Sequence, residues 1–284
     1  MWQNLFQYEF LQNAYLSGIL VGFIAPLLGV FIVSKRLALI PDALSHVSLS
    51  GVAIATFLIS IGILPAAFNP MLLGIVFSVI GAIVLWQLTR QFHNVQEIGI
   101  AIVMSLSLGI SVIFIALAKG VNLDLTSYLF GSINTISRQD LWIVAILALS
   151  TIIFVRLQYR KLFAIVFDED FIRVRNLRIN LVNGTFFVFV GLVVAVSMKI
   201  VGVLLISALM TLPVAIAIRL AKSFKQTIVY AVISGEIGVI TGLISSYYLN
   251  LPSGGTIVVT LVLLLLGVFV WTKMKKIKQK RLTD

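Results

Sequence analysis

Apolar runs of about 20 residues alternate with short polar breaks along almost the whole chain. A helix needs about 20 apolar residues to cross the hydrocarbon core of a bilayer. The pattern therefore predicts an all-α, polytopic membrane protein. Nine transmembrane helices fit the breaks: Asn13–Ser34, Ala43–Leu64, Met71–Leu88, Ile98–Ala118, Leu141–Leu157, Leu181–Ser197, Val201–Leu220, Thr227–Leu249 and Thr256–Trp271. Eight fit as well, if one segment lies at the surface. The interruptions are Lys35-Arg36 with Pro41, the Pro65–Pro70 turn, a basic loop around Arg90, and a long loop over 119–140 with a short apolar piece inside it. The charged interlude Ala164–Asn180, a tight turn at Lys199, the basic loop over 219–225 and the Asn250–Gly255 turn complete the set. Pro213 predicts a kink within the seventh span. No repeat, linker or low-complexity segment interrupts the pattern, so residues 1–284 read as one transmembrane domain.

Composition supports this reading. The chain is 60% hydrophobic and only 11% charged, against about a quarter charged in a soluble domain. Mean hydropathy is +1.12. The net charge of +11 does not indicate a nucleic-acid partner, because the Lys and Arg residues sit in short loops and the C-terminal tail. With nine spans, the basic clusters at 35–36, near 90, at 156–161 with 173–178, at 219–225 and at 273–281 share one side. The positive-inside rule makes that side the cytoplasm, with the N-terminus outside and the C-terminus inside. The first ten residues carry no basic stretch, so no cleavable signal peptide is expected.

Against this apolar background a few polar residues stand out. Asp42 and His46 are four residues apart at the start of the second helix, so they project from one face. Carboxylate oxygen and imidazole nitrogen together suit borderline divalent ions such as Zn²⁺ and Mn²⁺. Equally, the pair reads as an Asp–His hydrogen bond at a helix start, with Asp42 as N-cap or first-turn acid. For a midplane site, the segment 35–42 would have to re-enter the membrane as irregular backbone buried in protein. The interlude Phe167, Asp168, Glu169, Asp170, Phe171, Arg173, Val174, Arg175 and Leu177 places acids first and bases later. That order fits a short helix complementing its own dipole. The apolar members recur at helical spacing, as in a helix that docks into a groove on a soluble partner. Glu236 lies near the middle of the eighth span, where a carboxylate is costly and marks a functional site by default. Glu97, His93 and Asp124 read as a first-turn acid and two loop residues.

The missing motifs are informative. There is no cysteine, hence no disulfide framework and no thiolate metal site. No GxxxxGK[ST] phosphate loop, HExxH or GxSxG occurs. The chain reads as a transport subunit and not an enzyme, with any ATP hydrolysis in a separate partner and no permanently bound cofactor. A secondary transporter driven by an ion gradient through Glu236 fits the same residues.

Four stretches together resemble one known family. GVFIVSKRLALIPDALSHVSLSGVAIA is similar to the second-helix region of the metal-ion permeases of bacterial ABC importers, the manganese/zinc/iron chelate family. LTSYLFGSI resembles that family's short outer segment, VGVLLISALMTLPVAIA its run of small and apolar residues, and LPSGGTIVV its turn before the last helix. The resemblance covers nearly the whole chain, and DALSH is its most specific part. It implies a type II importer-like permease in the bacterial cytoplasmic membrane, a homodimeric core, two cytoplasmic ATP-binding subunits and an extracellular metal-binding protein. It also implies that Asp42 and His46 are pathway ligands for transported Zn²⁺ or Mn²⁺, and that 167–178 is the ATPase-coupling segment. An iron chelate is the alternative cargo. Asn250 stands where that family often carries an acid.

Overall fold

The computed structural model describes residues 9–92, 95–118, 125–132, 136–167 and 179–280. The described residues form ten helices and no strand. They are α1 (Glu9–Ser34), α2 (Ile40–Ser60), α3 (Pro70–Gln91), α4 (Gln96–Leu117), α5 (Leu125–Phe130), α6 (Arg138–Phe167), α7 (Ile179–Val201), α8 (Ile206–Leu220), α9 (Phe224–Leu249) and α10 (Ser253–Lys280). Eight of them are long and apolar enough to cross a membrane, and the fifteen-residue α8 is the shorter apolar exception.

Local chemistry sets the helix ends. Asn69 accepts a hydrogen bond from the Met71 amide, and Pro70 opens α3 where its missing N–H costs nothing. Ser137 and Asp140 cap α6 reciprocally: the Ser137 amide donates to the Asp140 carboxylate and the Asp140 amide to the Ser137 hydroxyl. Asn250 ends α9 in the left-handed region, at φ 51° and ψ 41°, a conformation that Asn tolerates better than most residues.

Burial separates an inner set of helices from an outer one. In α1 and α2, 72% of the most apolar stretch is buried, against 22% in α4 and α10. α1 packs on α6, α8 and α9, while α2 packs on α3, α4, α7 and α8. Small residues let these helices approach closely. Gly51 of α2 abuts Leu73 and Gly74 of α3, Gly81 of α3 abuts Val47, and Gly235 of α9 abuts Gly22 and Pro26 of α1.

Two boundaries differ from the sequence expectation. The fifth span does not stop at Leu157 but continues to Phe167. Tyr159, Phe163 and Phe167 recur every fourth residue, and all three rings pack around Phe224 of α9, with centroids 5.2–6.5 Å away. That ladder extends the helix through RLQYRK, because the long side chains clear the aromatic face. The second difference concerns Lys199, which is helical and not a turn. The chain turns at Gly202, where φ is +92°, a value suited to glycine.

This turn explains why α8 can be short. At 1.5 Å per residue α8 spans about 22 Å, less than a bilayer core of about 30 Å. The turn at 202–205 packs against α5, where an unpaired amide would be costly. α5 supplies the partners. The Val203 and Leu204 amides donate to the carbonyls of Tyr128 and Leu129, and the Ser132 amide donates to that of Lys199. The Ser253 hydroxyl donates to the Ile200 carbonyl. Gly131, Gly202 and Gly254 interlock at this junction. A Cβ on Gly254 would overlap the Val201 carbonyl oxygen, so Gly254→Ala should destabilise the protein by about 1–3 kcal/mol. The unfolding midpoint in detergent reads the effect. Gly267→Ala, which meets open space, should leave the midpoint unchanged or raise it.

Candidate functional site

The site is built on the first two turns of α2. Arg36, at φ 60°, turns the chain after α1. Pro41 follows the helix start at Ile40 and pre-sets the helical φ. The N-cap position, Leu39, makes no side-chain capping bond. Asp42 is thus a first-turn acid, favoured by the positive end of the helix, and not the N-cap. Irregular backbone covers only residues 35–39, and Asp42 is already helical, so the predicted re-entry over 35–42 does not occur as irregular chain. Lys35 donates to the Asn183 side chain at 2.9 Å, which ties the turn to the fifth residue of α7. Val47, next to His46, then packs on Gly81, the twelfth of the 22 residues of α3. His46 accordingly stands level with the middle of α3.

The two side chains face each other. His46 Nε2 lies 4.0 Å from Asp42 Oδ1, with side-chain exposures of 8% and 26%. The pair is therefore accessible from one side only, through Asp42. Two ligand atoms on one ion at about 2.1 Å would be about 3.0–3.4 Å apart. A side-chain adjustment of under about 1 Å gives that span. The imidazole Nδ1 is buried without a hydrogen-bond partner among the described residues, as is the Ser48 hydroxyl. Ser45 and Ser50 instead donate to the carbonyls of Asp42 and Val47, so their hydroxyls are satisfied within the helix. One turn beyond His46, Leu49 packs in a buried apolar cluster with Val52, Met198 and Val203, flanked by Tyr128 and Leu129. The junction of α5 with the 202–205 turn thus lies one helical turn from His46 along α2.

Among the described residues, no three His, Asp or Glu side chains gather as a metal site. One chain offers two ligands. Glu236 belongs to a different helix pair: its carboxyl group faces Gly22 of α1, and Oε2 is buried without a hydrogen-bond partner among the described residues. Of the predicted docking segment, Phe167 is the last residue of α6 and 63% exposed. Asp168, Glu169, Asp170, Phe171, Arg173, Val174, Arg175 and Leu177 lie outside the described residues, as do His93 and Asp124.

Sequence reading missed one buried interaction. Lys199 Nζ lies 3.0 and 2.9 Å from the two carboxylate oxygens of Asp140. The Asp140 carboxylate also accepts from the Ser137 amide and hydroxyl. The pattern Ser-x-x-Asp at 137–140 signals the helix cap, but nothing local signals its cation 59 residues away.

Known proteins share this architecture. A probable metal transport system membrane protein of Treponema pallidum is 36% identical over 266 residues, covering 92% of this chain and 96% of that one. The high-affinity zinc uptake system membrane protein ZnuB of Haemophilus influenzae is 32% identical, covering 89% and 94%. The manganese import system permease protein ScaB of Streptococcus gordonii is 29% identical, covering 98% and 97%. Among solved structures, PsaBC from Streptococcus pneumoniae in complex with Fab superposes with a TM-score of 0.80 at 28% identity, covering 94% and 93%. The model of the ABC 3 transport family matches residues 7–272, nearly the full length, and the chain belongs to that family.

Proposed function

We propose that this chain is the permease subunit of an ATP-driven importer that carries a divalent transition metal ion, Zn²⁺ or Mn²⁺, across the cytoplasmic membrane. The single observation that carries the reading is the Asp42–His46 pair, half-open at mid-helix depth in a chain of a transport family whose relatives are named for manganese and zinc. ATP is hydrolysed by a separate cytoplasmic subunit. An extracellular metal-binding protein delivers the ion. With α8 counted as a ninth span, the N-terminus lies outside and the C-terminus inside, in line with the basic loops.

Two ligands per chain are too few to strip a hydrated ion. A second copy related by a two-fold axis brings a second Asp and His, giving a shell of two carboxylates and two imidazoles. Such a shell is incomplete enough to release its ion again, which transport demands. The Leu49 cluster lies one turn beyond the pair along α2, so an ion moving past it along α2 would meet α5 and the 202–205 turn. The segment 167–178 transmits closure of the ATPase, continuing from the aromatic ladder at the end of α6. Membership of an ABC transport family leaves no need for Glu236 as the coupling carboxylate of a gradient-driven carrier.

The test is expression with a mild affinity tag. An ATP-hydrolysing subunit should copurify, and Phe171→Ala with Val174→Ala should reduce its recovery several-fold while permease yield holds. Recovery of a folded permease without any ATPase, active in liposomes, contradicts the reading.

A further inference from the structure

A groove of about 1340 Å³ opens between the end of α8, the start of α9 and α10. One wall runs along α10 from Thr260 to Lys275 and is apolar for most of its length, with Leu263, Leu264 and Val268 facing the groove. The far end is basic: Arg219, Lys222, Lys273 and Lys275 line it. None of these four cations meets a carboxylate among the described residues. Two of them lie instead on aromatic faces. The Arg219 guanidinium is 4.1 Å from the Phe269 ring centre, and the Lys275 ammonium is 5.3 Å from that of Trp271. These contacts hold the cationic groups over apolar surface and leave their N–H donors free for an anion.

The dimensions and the charge together select the occupant. The stretch 260–275 of α10 is about 22 Å long at 1.5 Å per residue. One bilayer leaflet with its headgroups is about 20–22 Å thick. The apolar wall thus matches the acyl region and the basic end the headgroup level, where Trp also prefers to lie. A second copy that packed its own equivalent groove here would set four cations against four. A divalent metal ion is repelled. A soluble phosphate compound would leave the apolar wall uncovered. Basic pockets between membrane helices are suited to anionic headgroups.

We propose that this groove is a specific site for an anionic phospholipid, with the lipid phosphate held among Arg219, Lys222, Lys273 and Lys275 and its acyl chains lying along α10. The site is separate from Asp42 and His46 and does not depend on the identity of the cargo. A bound lipid would brace α10 against α8 and α9, which α10 touches along only a narrow face.

Native mass spectrometry of the detergent-purified complex tests this, with phosphatidylglycerol and phosphatidylcholine of matched chains as probes. Phosphatidylglycerol should be retained several-fold better, and R219Q/K222Q/K273Q/K275Q should cut that preference about tenfold or more. The milder K273Q/K275Q variant changes two exposed residues at the helix end and should lose part of the preference with an unchanged unfolding midpoint. Excess glycerol phosphate should not displace the lipid. Equal retention of both lipids, a preference unchanged in the variants, or displacement by glycerol phosphate overturns the proposal. So does a disulfide between two copies carrying Val270→Cys, which would place a second chain on the groove.

Discussion

Asp42→Ala and His46→Ala should each reduce metal uptake by at least about 10–100-fold, with protein level and unfolding midpoint close to wild type. Each side chain supplies one of two ligand atoms per chain, 4.0 Å apart. Loss of even an outer-shell partner of a metal ligand typically costs 10–100-fold in affinity, and a direct ligand costs no less. The fold should survive, because neither side chain satisfies a backbone group: Ser45 bonds the Asp42 carbonyl, not its carboxylate. His46 Nδ1 makes no hydrogen bond among the described residues. Uptake in cells and midpoint in detergent separate the two effects. A large drop in midpoint with uptake lost in proportion would mean that the pair is a structural hydrogen bond.

Breaking the Lys199–Asp140 pair should have the opposite signature, a large loss of stability. Asp140 is 9% and Lys199 18% exposed at the side chain, so removing either leaves a poorly solvated charge. Such truncations typically cost about 3–5 kcal/mol, whereas replacing both partners by apolar residues of similar volume is near neutral. Lys199→Ala and Asp140→Ala should therefore each lower the unfolding midpoint strongly. The double variant Lys199→Met with Asp140→Leu should recover most of the loss, short of the helix-cap contribution of Asp140 through Ser137, about 1 kcal/mol. Additive losses in the double variant would show that the two groups act independently.

What could be read in the sequence was what repeats locally. The apolar runs gave the spans, and a four-residue spacing gave the Asp42–His46 face. Asn250, which lacks the charge that the family resemblance implies, serves the backbone: it ends α9 at φ 51°. The unread features depend on residues distant in sequence. Lys199 reads as a break in an apolar run, because its partner Asp140 lies 59 residues earlier. Hydropathy runs on unbroken through Gly202 and predicts a span from Val201, while the turn there relies on α5 carbonyls that accept from its amides. RLQYRK reads as a loop after Leu157 until Phe224 is folded against the aromatic face of α6.

The central claim is tested most directly in proteoliposomes holding this permease with its copurified ATPase, loaded with radiolabelled Mn²⁺ or Zn²⁺ and the binding protein outside. The account predicts accumulation that requires hydrolysable ATP on the cytoplasmic face and vanishes in the Asp42→Ala variant. Accumulation driven by a proton or sodium gradient without ATP, and unchanged in that variant, would contradict it.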